Sequence, residues 1–123
     1  MGNIIIEAAR VLVIRELRGL NFEKTARDKL GEVLLYVAKG IESGAIEIQD
    51  NSFEKYGLIG TVCNIGKRNF LIASISVHDY LQNRTIPEII ADVTMSVLRM
   101  LCSDVDFDVK TGQEILITLK GVN

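Results

Sequence analysis

Residues 104–109 alternate strictly between aspartate and an apolar side chain, in the order Asp104, Val105, Asp106, Phe107, Asp108, Val109. Because successive side chains of a β-strand point to opposite faces, this pattern predicts a strand with one wet face and one dry face. Residues 114–120 suit a partner strand after a three-residue turn at 111–113. In that register Asp104 lies opposite Lys120, so acid meets base and apolar meets apolar.

The three aspartates of this strand are also the candidate metal ligands of the chain. Asp104, Asp106 and Asp108 match the first ligand positions of a calcium-binding loop. That loop then requires glycine where Val109 stands and glutamate where Ile115 stands, so the pattern fails. Carboxylates two residues apart on a strand diverge unless a neighbouring strand adds ligands. We therefore expect a solvated acidic face and no cofactor, with a Mg²⁺ or Ca²⁺ site as the alternative.

Two helices are predicted at the N-terminus, over residues 4–18 and 22–42. Apolar residues recur at helical spacing in both, and most cleanly in the second. Asn21 is the predicted N-cap of the second helix, and Gly44 is its predicted end. The short break at Gly19 indicates a helical hairpin over residues 1–44, although one kinked helix is the alternative.

Strands are predicted over residues 45–49, 56–65 and 70–78. The last two form a hairpin around the turn at residues 66–69, with Ile65 opposite Phe70. Both faces of this hairpin are substantially apolar, which is expected for a sheet covered on both sides. One cover is the helices, and the other is expected to be another subunit.

A third helix is predicted over residues 86–102. Thr85 and Glu88 have the spacing of a capping box, and Pro87 lies in the first turn, where its missing N–H costs nothing. The helix is apolar around most of its circumference, so it should be buried on more than one side. The predicted fold is one α+β domain over residues 1–123, of order ααβββαββ. Residues 45–123 (βββαββ) supply a mainly antiparallel five-stranded sheet and the buried third helix.

Two further sites are candidates for chemistry. Lys67 and Arg68 form a compact basic spot that could bind an anion, but they join two predicted strands, whereas a phosphate loop leads into a helix. His78 is the sole histidine and the candidate general acid or base. No sequence motif places a nucleophile beside it.

Composition bounds the function. The net charge is −2, and neither half of the chain is a basic patch, so a nucleic-acid partner is not expected. No export signal or membrane segment is predicted, and Cys63 and Cys102 are expected to be reduced thiols, which together indicate a cytoplasmic protein. With an apolar content of 48%, the chain has more apolar surface than one small core can bury, which suggests a partner or self-association.

The sequence therefore favours a non-enzymatic, cytosolic protein-interaction or accessory domain that forms a homo-oligomer or binds a protein partner. The alternatives are a small-ligand or metal-assisted enzyme that uses the Asp104, Asp106 and Asp108 face with His78, and an anion-binding module at Lys67 and Arg68.

Overall fold

The structure, a computed structural model, describes residues 3–102, except for the side chains of Asn3 and Lys55. These residues form α1 Asn3–Leu17, α2 Glu23–Ser43, β1 Ile46–Phe53, a 3-10 turn Glu54–Tyr56, β2 Leu58–Ile65, β3 Arg68–Ala73, α3 Val77–Gln82 and α4 Ile86–Cys102. The strands make an antiparallel sheet of order β1-β2-β3. The described part of the chain is therefore an α+β arrangement of four α-helices and a three-stranded sheet.

The predicted five-stranded sheet of order ααβββαββ is wrong. The described elements follow the order ααβββαα, because the chain leaves the sheet after Ala73 and forms α3 where a strand to His78 was expected. A local signal for this helix exists in the sequence. The Ser76 hydroxyl caps α3 by accepting a hydrogen bond from the Asp79 N–H at 3.3 Å. The predicted closing hairpin of residues 104–120 lies outside the described residues.

The bounds of α1 and α2 lie within one residue of the predicted ones. The two helices contact each other, as a helical hairpin requires. The predicted cap of α2 by Asn21 is wrong, because Phe22 occupies the N-cap position and its side chain makes no capping bond. Glu23, the first residue of α2, instead ties the helix to the preceding turn, since its carboxylate accepts hydrogen bonds from the Gly19 N–H at 3.1 Å and from the Arg27 side chain at 2.9 Å. Gly44 ends α2 in the left-handed conformation, as predicted.

The C-terminal helix of the described part, α4, occupies the centre of the core. It contacts α1, α2 and β3, and eight of its residues are buried. The prediction that this helix is buried on more than one side is confirmed. Its capping box is confirmed as well, because the Thr85 N–H donates to Glu88 Oε1 at 3.0 Å and the Glu88 N–H donates to Thr85 Oγ1 at 3.4 Å.

The turn between β2 and β3 is shorter than predicted. Ile65 pairs with Arg68 rather than with Phe70, so only Gly66 and Lys67 lie in the turn. Gly66 has a φ of 62°, and a two-residue turn with positive φ matches the right-handed twist of a hairpin. The predicted register is therefore wrong by two residues. A shift of two leaves residues 62–65, Phe70 and Leu71 on their predicted faces, whereas the irregularity between Thr61 and Val62 pairs Thr61 with Ala73, which was predicted on the other face.

Helix α2 approaches the sheet most closely at a glycine. A Cβ atom built on Gly40 would lie 2.5 Å from Cδ1 of Ile46 and 2.6 Å from its Cγ1. Ile46 is buried in the core at the start of β1. The absence of a side chain at Gly40 therefore sets the distance between α2 and β1.

We expect the substitution Gly40→Ala to lower the free energy of unfolding by about 1–3 kcal/mol, because the added methyl group must displace Ile46 in a packed core. Gly31 in the same helix is the matched control, since a Cβ there would meet nothing within 4 Å. Gly31→Ala should raise stability by about 0.5–1 kcal/mol through helix propensity. Urea unfolding followed by circular dichroism measures both. Equal effects at the two positions would contradict the close approach.

Two fully buried threonines allow a second comparison. Among the described residues, Thr94 Oγ1 is buried without a hydrogen-bond partner, whereas Thr61 Oγ1 donates to the carbonyl oxygen of Ile75 at 2.8 Å. Thr94→Val should therefore stabilise the protein by up to about 1 kcal/mol, and Thr61→Val should destabilise it by about 1–2 kcal/mol. Chemical denaturation of both variants gives the two values. A loss of stability in Thr94→Val would show that its hydroxyl has a partner.

Candidate functional site

The sheet has an inner face that is covered by helices. Its inward residues belong to the core or pack against it, namely Ile46, Ile48, Cys63, Ile65, Phe70 and Ile72. Helix α3 joins the same side. Thr61 holds the carbonyl of Ile75, and the Asp50 carboxylate accepts a hydrogen bond from the Val77 N–H at 2.5 Å. Asp50 and Thr61 each lie two residues along their strand from an inner-face residue, Ile48 and Cys63, so they belong to the same face.

The opposite, outer face is defined by the alternate residues of the three strands. Four rows of residues lie side by side across the strands on this face, from one end of the sheet to the other. They are Glu47, Asn64 and Asn69; Gln49, Val62 and Leu71; Asn51 and Gly60; and Phe53 and Leu58. Glu47 is the one charged residue among these outer-face positions. The outer face therefore grades from a polar end at Glu47, where the Asn64 amide donates to Asn69 at 2.8 Å, to an apolar end at Leu58.

The apolar end of the outer face is closely packed around a glycine. A Cβ atom on Gly60 would lie 2.6 Å from Cδ1 of Leu71 and 3.0 Å from Cε2 of Phe53. The two side chains thus lie over the bare backbone of β2. Leu71 is nevertheless 53% exposed and Leu58 is 50% exposed, whereas Val62 is buried. Exposed leucine next to a packed aromatic ring is what a partner surface would contact.

The sequence-predicted basic site and the sole histidine lie at opposite ends of β3. Lys67 is exposed in the turn that precedes β3, and His78 is exposed in α3, which follows it. A strand of this length spans about 17 Å, so the two do not meet. The Arg68 guanidinium lies 5.6 Å from the centroid of the Phe70 ring. One of the two cations of the predicted anion site therefore already makes a cation–π contact within the chain.

The predicted metal ligands Asp104, Asp106 and Asp108 lie outside the described residues, so that site stays a prediction. Within residues 3–102, no group of three or more His, Cys, Asp or Glu side chains is arranged to hold a metal ion.

A buried polar contact between α3 and α4 was missed by sequence reasoning. Tyr80 is 1% exposed, and its hydroxyl donates to Asp92 at 2.5 Å. Arg84 completes the group, with its Nε 3.8 Å from Asp92 and its guanidinium carbon 5.5 Å from the Tyr80 ring centroid. No local pattern signals this contact, because Tyr80 and Asp92 lie on different helices, twelve residues apart.

Electrostatics assign this group a structural role. Burial, and then the hydrogen bond to Asp92, raise the pKa of Tyr80 far above its usual range. A phenol that stays protonated and donates to a carboxylate fastens α3 to α4. The arrangement is suited to holding the chain rather than to transferring a proton.

Both cysteines are free thiols, in different surroundings. Cys63 is fully buried on the inner face, and burial raises its pKa to about 12. Cys102 at the end of α4 is half-buried, and burial raises its pKa too. A buried thiol with so high a pKa is a packing residue rather than a nucleophile.

Comparison of the chain with protein-family models, with curated protein sequences and with solved structures finds no match. Within the described residues, no helix combines the length and the apolar character needed to cross a membrane.

The two thiols should differ in reactivity. In the variant Cys102→Ala, whose remaining thiol is Cys63, we expect Ellman's reagent at pH 8 to react only as the protein unfolds, because Cys63 is fully buried. In Cys63→Ala, whose remaining thiol is the half-buried Cys102, reaction should be faster by at least about tenfold. Time courses of absorbance with and without denaturant measure both rates. Fast reaction of Cys63 in the folded protein would contradict its burial.

Proposed function

We propose that this chain is a non-enzymatic protein-interaction domain that associates through the outer face of its sheet. The observation that carries the proposal is the pair of half-exposed leucines, Leu58 and Leu71, on a face opposite to the one that the helices cover. Leaving such side chains in water forgoes about 25 cal/mol for each Å² of apolar surface. A protein partner would recover that free energy.

The charge distribution supports the same surface. The helical side of the molecule carries exposed ion pairs, such as Glu7 with Arg10 and Glu23 with Arg27. The outer face has Glu47 alone. Depletion of charge, more than bulk hydrophobicity, distinguishes the central part of protein interfaces from the rest of a protein surface.

The described reactive groups favour a role other than catalysis. Cys63 is buried as a protonated thiol, and the Tyr80 hydroxyl is bonded to Asp92. His78 is exposed on the short helix α3, away from both Lys67 and Arg68. The enzyme that would use Asp104, Asp106 and Asp108, and the anion-binding module at Lys67 and Arg68, remain alternative predictions.

We also assign this domain to the reducing cytosol. The support is chemical, since Cys63 and Cys102 are free and Cys63 is packed in the core as a thiol.

Photo-crosslinking tests the proposed surface. A photoreactive amino acid replaces Leu71 in the full chain, and the matched control places it at Leu35, which is 46% exposed on α2. We expect an intermolecular crosslink to a protein from position 71 and little from position 35, because only position 71 lies in the proposed interface. Mass spectrometry of the products identifies the linked peptides. Equal yields at both positions, or links from 71 that stay within its own chain, would reject the proposal.

A further inference from the structure

We infer that the protein bound at the outer face is a second copy of this chain, which makes the domain a homodimer. This inference rests on the proposed function of that face and names its partner. An isologous dimer uses the same patch on both subunits, so the patch must be complementary to itself.

The outer face meets this requirement through its chemistry. The side chains of Gln49, Asn51, Asn64 and Asn69 each carry both a hydrogen-bond donor and an acceptor, so an amide can pair with the same kind of amide. Leu58 and Leu71 pack against any apolar surface, including their own copies. A patch with many charges of one sign would instead repel itself.

The single charge of the face does not oppose this pairing. Glu47 lies near the start of β1, six residues before Phe53, which corresponds to about 20 Å along the strand. A twofold axis that lies in the interface at right angles to the strands places the two Glu47 residues at opposite ends of the face. That separation exceeds the Debye length of about 8 Å at physiological ionic strength, so their repulsion is screened.

The same composition disfavours other partners. The outer face has no lysine or arginine with which to bind a phosphate backbone or an anionic membrane. A strongly acidic or basic protein would find at most Glu47 to pair with. A self-complementary, nearly uncharged face fits its own copy best.

The size of the face sets the expected affinity. Three strands of up to eight residues cover roughly 27 by 14 Å, or about 400 Å² in projection. Standard interfaces bury about 800 Å² on each partner, so this one is about half the standard size and belongs with weak, transient contacts. We therefore expect a reversible dimer with a Kd in the micromolar range, which requires measurement from about 1 μM to about 1 mM.

Sedimentation equilibrium of the full chain tests the inference. The unaltered protein should follow a monomer–dimer equilibrium over this range. Leu71→Lys should weaken dimerisation at least tenfold, because the symmetric interface would bury two added ammonium groups. Leu35→Lys, with similar exposure on α2, should leave the Kd unchanged. Melting curves establish that both variants are folded, and Leu58→Lys repeats the test if Leu71→Lys is not.

The outcomes distinguish a failure of the homodimer from a failure of the proposed interaction domain. A mixture of isotopically light and heavy chains, crosslinked from position 71, should give light–heavy pairs in support of the dimer. A chain that stays monomeric to 1 mM, while position 71 links to a different protein, overturns the homodimer and leaves the interaction domain intact. Links that join residues within one chain only, with no light–heavy pairs, overturn both. A dimer that persists unchanged in folded Leu71→Lys or Leu58→Lys also overturns the inference.

Discussion

Burial of α4 is the interaction on which the rest of this structure depends. Ile90, Val93, Val97 and Leu98 of α4 are fully buried, and the helix contacts α1, α2 and β3 at once. A helix that is apolar around most of its circumference needs cover on several sides. The helices that surround α4 are thereby gathered on one side of the sheet. The inner face is filled as a consequence, and the outer face is the one that these helices do not cover.

Polar contacts position the remaining helix, α3, and they explain why the buried chemistry of this protein is structural. Asp50 holds the N–H of Val77, Thr61 holds the carbonyl of Ile75, and Tyr80 donates to Asp92. The Thr61 and Tyr80 hydroxyls are buried groups that would cost free energy if they were left unpaired, whereas the Asp50 carboxylate is exposed. The hydroxyl groups of Thr61 and Tyr80 thus both serve as hydrogen-bond donors within the fold.

Much of the fold could be predicted from local patterns, and the errors have identifiable causes. The helices α1, α2 and α4 were found because apolar residues repeat at helical spacing over three or more turns. Helix α3 was missed because residues 72–77 continue the alternation of β3, and the Ser76–Asp79 cap became evident only in the structure. Of the candidate site, sequence indicated that both faces of the β2–β3 hairpin are apolar. It directed attention instead to Lys67, Arg68 and His78, which the structure does not bring together.

The sequence by itself determined which residues share a face within α1, α2, α4 and most of the β2–β3 hairpin, because a side-chain period of two or 3.6 is a local property of the backbone. It also determined where α2 and α4 end or begin, through Gly44 and the Thr85–Glu88 box. Only the tertiary structure decided which sheet face the helices would cover. That choice depends on the close approach of α2 to β1 at Gly40 and Ile46. It also depends on the hydrogen bonds of Thr61 and Asp50 to Ile75 and Val77, which hold the start of α3 on the inner side. Contacts between residues distant in the chain leave no periodic signal, so the outer face became a candidate site only after folding had assigned the inner one.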